Sequence, residues 1–194
     1  MIYFTSDWHL GEDRLGDITA GEFNPFYRPF HSTLAQDTSI VTMCNRIVRP
    51  EDTLYHLGDV MVNESGFEWL EKIWCKNKVL IVGNYDEQYL DRLENYFDKI
   101  YRWRFVYEDE ENDSGEQFYL VHKPEDMTPI CFNIVGHIHG LWKVKRDMVN
   151  VGVDAWHFRP VSMNEILFVK NAIDKGYYDE NVFWNEAPSE RGPS

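Results

Sequence analysis

Short apolar runs alternate with segments of helical spacing through the first half of the chain. The apolar runs have strand length and end in glycine or polar residues; they are residues 2–4, 53–57 and 78–82. In the segments between and after them, apolar residues recur every three or four positions: from Ser32 to just before Pro50, roughly 66–75, and 86–97. This alternation predicts a β-sheet covered by helices.

The second half of the chain has a different pattern, dominated by strands. Three further strands are predicted at residues 100–107, 117–122 and 130–135, followed by a hairpin formed by residues 141–144 and 148–153. A last helix follows Pro160, with Ser162 as its N-cap. The acidic residues 108–116 are predicted to form a solvated turn, because they lack the spacing of a calcium-binding loop.

These elements predict one domain over residues 1–180, with a loosely ordered polar tail at 181–194. Residues 12–31 have no clean period and are predicted to form a long loop over the functional face. The chain contains no long apolar run and no signal-peptide pattern at its N-terminus. Its three cysteines, Cys44, Cys75 and Cys131, are widely spaced, which is typical of a reduced, cytoplasmic protein.

The formal charge of −14 limits the partners that we expect. An acidic surface repels long duplex nucleic acid, and no basic cluster offsets it. A small anionic substrate remains compatible with this charge if metal ions supply positive charge locally. Membrane partners are not expected, and the oligomeric state is left open.

Metal-ligand residue types recur at the ends of the predicted strands, where α/β sheets gather their functional groups. Four of the seven histidines belong to this set, which is Asp7, His9, Asp59, Asn84, His122, His137 and His139. Seven ligands are too many for one tetrahedral ion and suit two ions that share a bridging carboxylate. Three glycines, Gly58, Gly83 and Gly136, are predicted to let the backbone turn sharply so that the next side chain reaches inward.

The ordered pattern D-x-H, G-D, G-N-x-D, H and G-H-x-H resembles that of the calcineurin-like metallophosphoesterases, over residues 2–166. Small bacterial and phage-type phosphoesterases look most similar, because they share the Arg-Pro-Phe element at 28–30 and the Asn-Val-Gly-Val-Asp stretch at 150–154. The resemblance implies an α/β sandwich of two mixed β-sheets flanked by helices. It also implies that Asp7, His9 and His139 hold one ion, that Asn84, His122 and His137 hold the second, and that Asp59 bridges them.

Two such ions would offset the negative charge on a phosphoryl group and acidify a bridging water, whose hydroxide attacks phosphorus in line with the leaving oxygen. Mn²⁺ is the first choice, and Fe²⁺, Zn²⁺ or Ni²⁺ are also compatible with imidazole and carboxylate ligands. The predicted catalytic residues are Asp59, Asn84, Tyr85 and His122.

Two positions depart from the family pattern. Tyr85 stands where most members have histidine directly after the asparagine. A phenol stays protonated at neutral pH, so Tyr85 is either a hydrogen-bond or proton donor to the substrate or a packing residue at the mouth of the site. Some small relatives that lack this histidine resemble phosphodiesterases rather than broad monoesterases. Glu12 would repel a phosphate dianion near the site, so we expect it to face solvent.

Other residues are candidates with a structural alternative. Arg14 and Arg28 in the long loop are predicted to contact the substrate phosphate, and an ordinary surface ion pair is the alternative for either. His56 is predicted to be structural, and Trp8 is predicted to point into the core, opposite to its two neighbours.

Three classes of function remain. The first is a metal-dependent phosphodiesterase acting on a small nucleotide-like substrate. The second is a phosphomonoesterase acting on nucleotides or phosphoproteins, which the absent histidine disfavours. The third is a non-enzymatic metal-binding scaffold, which the complete ligand set disfavours.

Overall fold

A computed structural model of the protein describes residues 1–12, 28–108 and 116–177. Most of the predicted loop at 12–31, most of the acidic turn and the predicted tail at 181–194 lie outside these residues. The ten strands of the described part are, in chain order, β1 (Ile2–Thr5), β2 (Thr53–His56), β3 (Asn77–Ile81), β4 (Lys99–Tyr101), β5 (Arg104–Glu108), β6 (Gln117–Val121), β7 (Phe132–Val135), β8 (Val144–Lys145), β9 (Met148–Asn150) and β10 (Val161–Ser162). The α-helices are α1 (Thr33–Ile47), α2 (Gly66–Leu70), α3 (Leu90–Leu93) and α4 (Met163–Asp174).

The strands form two mixed five-stranded sheets. The first sheet has the order β10-β1-β2-β3-β4, in which β1 to β4 are parallel and β10 is antiparallel. The second has the order β5-β6-β7-β9-β8, with a parallel centre and antiparallel strands at both edges. The predicted sandwich of two mixed sheets with flanking helices is therefore confirmed.

Apolar side chains from both sheets form the core between them. Phe4, Ile81, Phe118 and Ile134, from β1, β3, β6 and β7, belong to one buried cluster. A second cluster joins the other face of the first sheet to α1, α2 and α3, so those helices cover that face. Burial of apolar surface on both faces of the central strands explains their continuous hydrophobic runs.

Several predicted elements differ in length from the observed ones. The single strand predicted at 100–107 is two strands in different sheets, because the chain leaves the first sheet after Tyr101 and enters the second at Arg104. The helices predicted at 66–75 and 86–97 are shorter, and a 3-10 turn at Glu87–Tyr89 precedes α3. Strand β10 was not predicted, since two residues carry no periodicity.

None of the helices in the described ranges combines the length and the apolar character needed to cross a membrane.

Candidate metal centre

The predicted ligands lie beyond the C-terminal ends of strands from both sheets. In the first sheet β1 leads to Asp7 and His9, β2 to Asp59 and β3 to Asn84. In the second sheet, β6 leads to His122, and β7 to His137 and His139. Because these strands are parallel within each sheet, their carboxyl ends share an edge, and the two edges meet at one site.

Six of the seven residues form two clusters of potential ligand atoms. Asp7, His9 and His139 make the first group, and Asp59, His122 and His137 make the second; within each group the ligand atoms lie within 4.8 Å of one another. Four of the six are buried and the other two are half-buried, which raises the cost of leaving their polar atoms unpaired. Two buried His/Asp groups of this kind are consistent with a binuclear metal site.

Asp59 lies between the two groups. Its Oδ2 atom is 3.5 Å from His9 Nε2 and 3.4 Å from His122 Nε2, so one oxygen faces a nitrogen of each group. Its Oδ1 atom accepts a hydrogen bond from the backbone N–H of Tyr85 at 2.9 Å, which holds the carboxylate in this orientation. This is the placement that a bridging ligand requires.

Buried polar atoms without hydrogen-bond partners show that these residues fit a cation. Asp7 Oδ1 and both ring nitrogens of His9 are buried, and they form no hydrogen bond within residues 1–12, 28–108 and 116–177. In the second group, His122 Nε2 lies 3.2 Å from His137 Nδ1 and 3.0 Å from Asn84 Oδ1, so three acceptor-type atoms converge. A divalent ion satisfies such convergent atoms, whereas one proton can serve only one pair of them.

Hydrogen bonds on the outer side of two imidazoles select the tautomer that a metal needs. His122 Nδ1 donates to the Leu57 carbonyl at 2.6 Å, and His139 Nδ1 donates to Asp154 Oδ2 at 2.9 Å. In the neutral form of each ring, the proton is therefore on Nδ1, and Nε2 carries the lone pair. Metal-binding histidines commonly have such a partner on the second nitrogen.

The charges in the site influence each other strongly. Burial raises the pKa of Asp7 and Asp59, but the neighbouring imidazoles outweigh burial and lower both values. Burial lowers the pKa of His122, whereas its contact with Asp59 and the nearby Asp7 raise it to about 9. Burial and the charge of His122 lower the pKa of His137. The metal-free site therefore holds a proton at His122, which a bound cation would have to displace.

The ligand residues themselves have an unusual backbone conformation. Five of them have positive φ angles, which only a few per cent of non-glycine residues adopt: Asp7 (58°), His9 (47°), Asp59 (58°), His137 (73°) and His139 (49°). Such conformations are costly and persist where the surrounding structure enforces them, typically at functional sites.

The predicted role of the three glycines is only partly correct. Gly58 has a φ of 92° and makes the sharp turn. Gly83 and Gly136 lack positive φ angles and are instead sites of close approach: a Cβ atom at Gly83 would lie 2.4 Å from Asp59 Oδ1, and one at Gly136 would lie 2.0 Å from Ser6 Oγ. The backbone turns sharply mainly at the ligand residues themselves, which have the positive φ angles.

Asp86 is a supporting residue to which the sequence pattern gave no role. Its buried carboxylate accepts hydrogen bonds from the backbone N–H groups of Asp59, Val60 and Gly83 at 2.8–2.9 Å. It therefore ties the loop after β2 to the loop after β3. Asp86 is the last residue of the G-N-x-D pattern, and that position was the available signal.

The loop that carries His139 has a support of its own. Asn150 Nδ2 donates to the carbonyls of His139 and Trp142, both at 2.7 Å, and its Oδ1 accepts from the Gly152 N–H at 2.8 Å. Asn150 and Asp154, which contacts the His139 ring, are the first and last residues of the Asn-Val-Gly-Val-Asp stretch. The stretch thus supports His139 twice, because Asn150 contacts the backbone of this residue and Asp154 contacts its ring.

The predicted substrate-binding residues have different surroundings. Arg28 is buried, and its guanidinium pairs with Asp154 rather than opening toward solvent. Arg14 lies outside the described residues. The Tyr85 ring is half-buried and packs edge-on against the His9 ring, with centroids 5.0 Å apart. A contact of any of the three with phosphate stays a prediction. Glu12 is half-buried.

His56 and Trp8 lie in the core beneath the site. The two rings pack edge to face with centroids 4.6 Å apart, and the Trp8 Nε1–H donates to Thr5 Oγ1. Burial lowers the pKa of His56 to about 3, so its ring is neutral. This is the environment of a packing residue, and Trp8 points away from the ligands on either side of it.

Comparison with known proteins identifies relatives without an assigned activity. No family model matches the chain. The uncharacterized protein MJ1445 of Methanocaldococcus jannaschii is 28% identical, over 90% of this chain and 92% of its own length. The crystal structure of AQ665 from Aquifex aeolicus, a protein of unknown function, matches with a TM-score of 0.67 and 26% identity, over 87% of this chain and 98% of that one. The chain is therefore homologous to these two proteins and shares its α/β fold with the Aquifex protein.

Proposed function

We propose that the protein is a binuclear metal-dependent phosphoesterase that hydrolyses a small, nucleotide-like phosphodiester. The observation that carries this proposal is the position of Asp59 Oδ2 between the two His/Asp groups, the first of which contains buried atoms of Asp7 and His9 that form no hydrogen bond with the described residues. A structural metal site would be closed around one ion and usually rich in thiolates, and neither metal group contains cysteine.

The ligands divide between two ions. Asp7, His9 and His139 would hold the first, and Asn84, His122 and His137 would hold the second, with Asp59 shared. When bound, the ions offset negative charge on the phosphoryl oxygens and lower the pKa of coordinated water. Mn²⁺ is our first choice, and Fe²⁺, Zn²⁺ and Ni²⁺ suit the same ligands.

The protein's own residues prepare this chemistry. The backbone N–H of Tyr85 and the Nδ1 hydrogen bond of His122 fix ligand orientations before substrate arrives, so little reorganisation is needed. The ring of Tyr85 packs beside His9, and we propose that its O–H group donates a hydrogen bond or a proton to the leaving oxygen. Tyrosine in place of the histidine of most metallophosphoesterases favours a diester over a monoester.

The first experiment measures bound metal and hydrolysis together. After incubation with Mn²⁺ and removal of free ion, we expect about two ions per chain. We expect faster cleavage of bis(p-nitrophenyl) phosphate than of p-nitrophenyl phosphate. Asp59→Asn should lower diester cleavage by more than the roughly 10–100-fold typical of a residue that only supports a ligand. Asp91→Asn, at an exposed position of α3, is the matched control and should leave both measurements unchanged.

The outcomes separate the three classes of function. A preference for the monoester would replace the diesterase by a phosphatase. Two bound ions without cleavage of either compound would favour a scaffold, and no bound ion would contradict the proposal entirely.

A further inference from the structure

One buried ion pair contacts both segments that carry the first metal group. The Arg28 and Asp154 side chains are each 4% exposed and lie 126 positions apart in the sequence. Arg28 Nε donates to Asp154 Oδ1 and Nη2 donates to Asp154 Oδ2, both at 2.9 Å. This is the two-pronged geometry in which arginine binds carboxylates most strongly.

The carboxylate side of this pair contacts His139. Asp154 Oδ2 accepts the Nδ1–H of His139 at 2.9 Å, so the ring is oriented with Nε2 turned away from Asp154. Arginine has only donors, and it therefore holds Asp154 with both oxygens as acceptors. An amide in place of this carboxylate would present one N–H group to a donor.

The guanidinium side contacts the Asp7–His9 turn. Arg28 Nη1 donates to the Trp8 carbonyl at 2.8 Å, and Nη2 also donates to the Asp7 carbonyl. These carbonyls belong to a turn in which Asp7 and His9 both have left-handed backbone conformations. The two hydrogen bonds favour that turn over its unstrained alternatives.

We propose that Arg28 and Asp154 are positioning residues that preorganise the three ligands of the first ion, Asp7, His9 and His139, as one unit. The inference rests on the proposed function, because it concerns the metal site of that enzyme. It gives Arg28 a role that differs from a phosphate contact. It also predicts that loss of the pair weakens binding of the first ion only, since the loops of Asp59 and Asn84 are joined by Asp86 and not by this pair.

The test uses Asp154→Asn, which keeps the size of the side chain. Both carboxylate oxygens accept hydrogen bonds from Arg28, and Oδ2 also accepts one from His139 Nδ1. In either orientation, the amide N–H group therefore faces a donor of Arg28, and the two-pronged contact is lost. The loss of the carboxylate charge also weakens the hydrogen bond that orients the His139 ring.

Two readouts follow this change without measuring hydrolysis. In the metal-free full-length protein, long-range ¹H–¹⁵N NMR should show the Nδ1–H tautomer of His139 in the wild type and changed ring ¹⁵N shifts of His139 in Asp154→Asn. Calorimetric titration with Mn²⁺ should show that one of two ions binds about 10–100-fold more weakly, while the other is unchanged. Asp147→Asn, exposed in the β8–β9 hairpin, is the matched control and should behave as wild type.

Arg28→Lys provides a second variant that keeps the positive charge. A single ammonium group cannot bridge both carboxylate oxygens and two carbonyls, so a selective loss of the same ion is expected. Unchanged ring ¹⁵N shifts of His139 and unchanged binding of both ions in Asp154→Asn would overturn the inference. It is equally overturned by an equal loss of both ions with a large fall in thermal stability, which is the result expected of a purely structural ion pair. Because hydrolysis is not measured, failure of the proposed activity and failure of this inference are separate results.

Discussion

At the scale of single residues, the site depends on how closely two strand ends approach each other. Gly136 follows β7, and a side chain there would collide with Ser6, which follows β1 and belongs to the other sheet. Ser6 is buried, and its hydroxyl donates to the Leu57 carbonyl at 2.9 Å, so it cannot move aside freely. The contact between the two sheets at the metal centre therefore requires glycine at position 136.

This close approach gives a testable substitution. Gly136→Ala places a methyl group 2.0 Å from Ser6 Oγ and should reduce the free energy of unfolding by about 1–3 kcal/mol, as overpacking does. Urea denaturation of the metal-free protein measures this loss. The double variant Ser6→Gly/Gly136→Ala removes the colliding atoms and should recover part of the stability relative to Ser6→Gly alone. A fully stable Gly136→Ala protein would contradict the close packing described here.

At the scale of elements, α4 shows a local sequence signal that is retained in the fold. Ser162 accepts the Glu165 N–H, and Glu165 accepts the Ser162 N–H at 2.9 Å, so both residues of a capping box are in place. The predicted N-cap at Ser162 is confirmed. Ser162 also ends β10, so the same residue closes the first sheet and begins the helix.

Removal of this cap should weaken the helix by a predictable amount. Ser162→Ala should lower the free energy of unfolding by about 1 kcal/mol, because buried or partly buried N–H groups at the helix start lose their acceptor. Asn164→Ala, at an exposed position in the same turn, is the control and should have little effect. Equal effects of the two substitutions in chemical denaturation would show that the cap contributes nothing specific.

The strand predicted at 100–107 is divided into β4 and β5 by the tertiary structure. Residues 100–107 have the composition of one strand, yet Ile81 pairs with Tyr101 in the first sheet and Val121 pairs with Arg104 in the second. The break at 102–103 therefore joins the two sheets beside the strand ends that lead to Asn84 and His122. A continuous strand could not connect two sheets that pack face to face.

At the scale of the whole molecule, the metal centre joins the two halves of the sandwich. Ligands of the first sheet and of the second sheet occur in both groups: Asp7 and His9 with His139, and Asp59 with His122 and His137. A cation bound at either group would link the sheets, and its binding energy would add to the stability of the folded protein.

Metal removal should therefore destabilise the protein as a whole. At an Mn²⁺ concentration about 100 times its Kd, each ion should add about 2.7 kcal/mol to the free energy of unfolding if it does not bind the unfolded chain. Differential scanning calorimetry should show a higher Tm with Mn²⁺ than with a chelator, and a smaller difference for Asp59→Asn. Identical melting curves in Mn²⁺ and chelator would mean that no ion binds the folded state.

The strands and helices of strong periodicity, and the identity of the predicted ligands, follow from local sequence. Strands β1, β2 and β3 and helix α1 follow from runs and spacings among neighbouring residues. The ligand types are equally local, because each follows directly after a strand end. The spacing of apolar residues shows which face of an element is buried, and the polar residue or glycine after an apolar run shows where a strand ends.

The orientation of these ligands and the contacts that support them depend on tertiary structure. The pairing of Arg28 with Asp154 and the three backbone contacts of Asp86 join segments that are far apart in the sequence. The left-handed backbone of the ligands and the length of α2 and α3 likewise depend on what packs around them. Hydrogen bonding, desolvation and close packing act between neighbours in space, so no pattern along the chain specifies them.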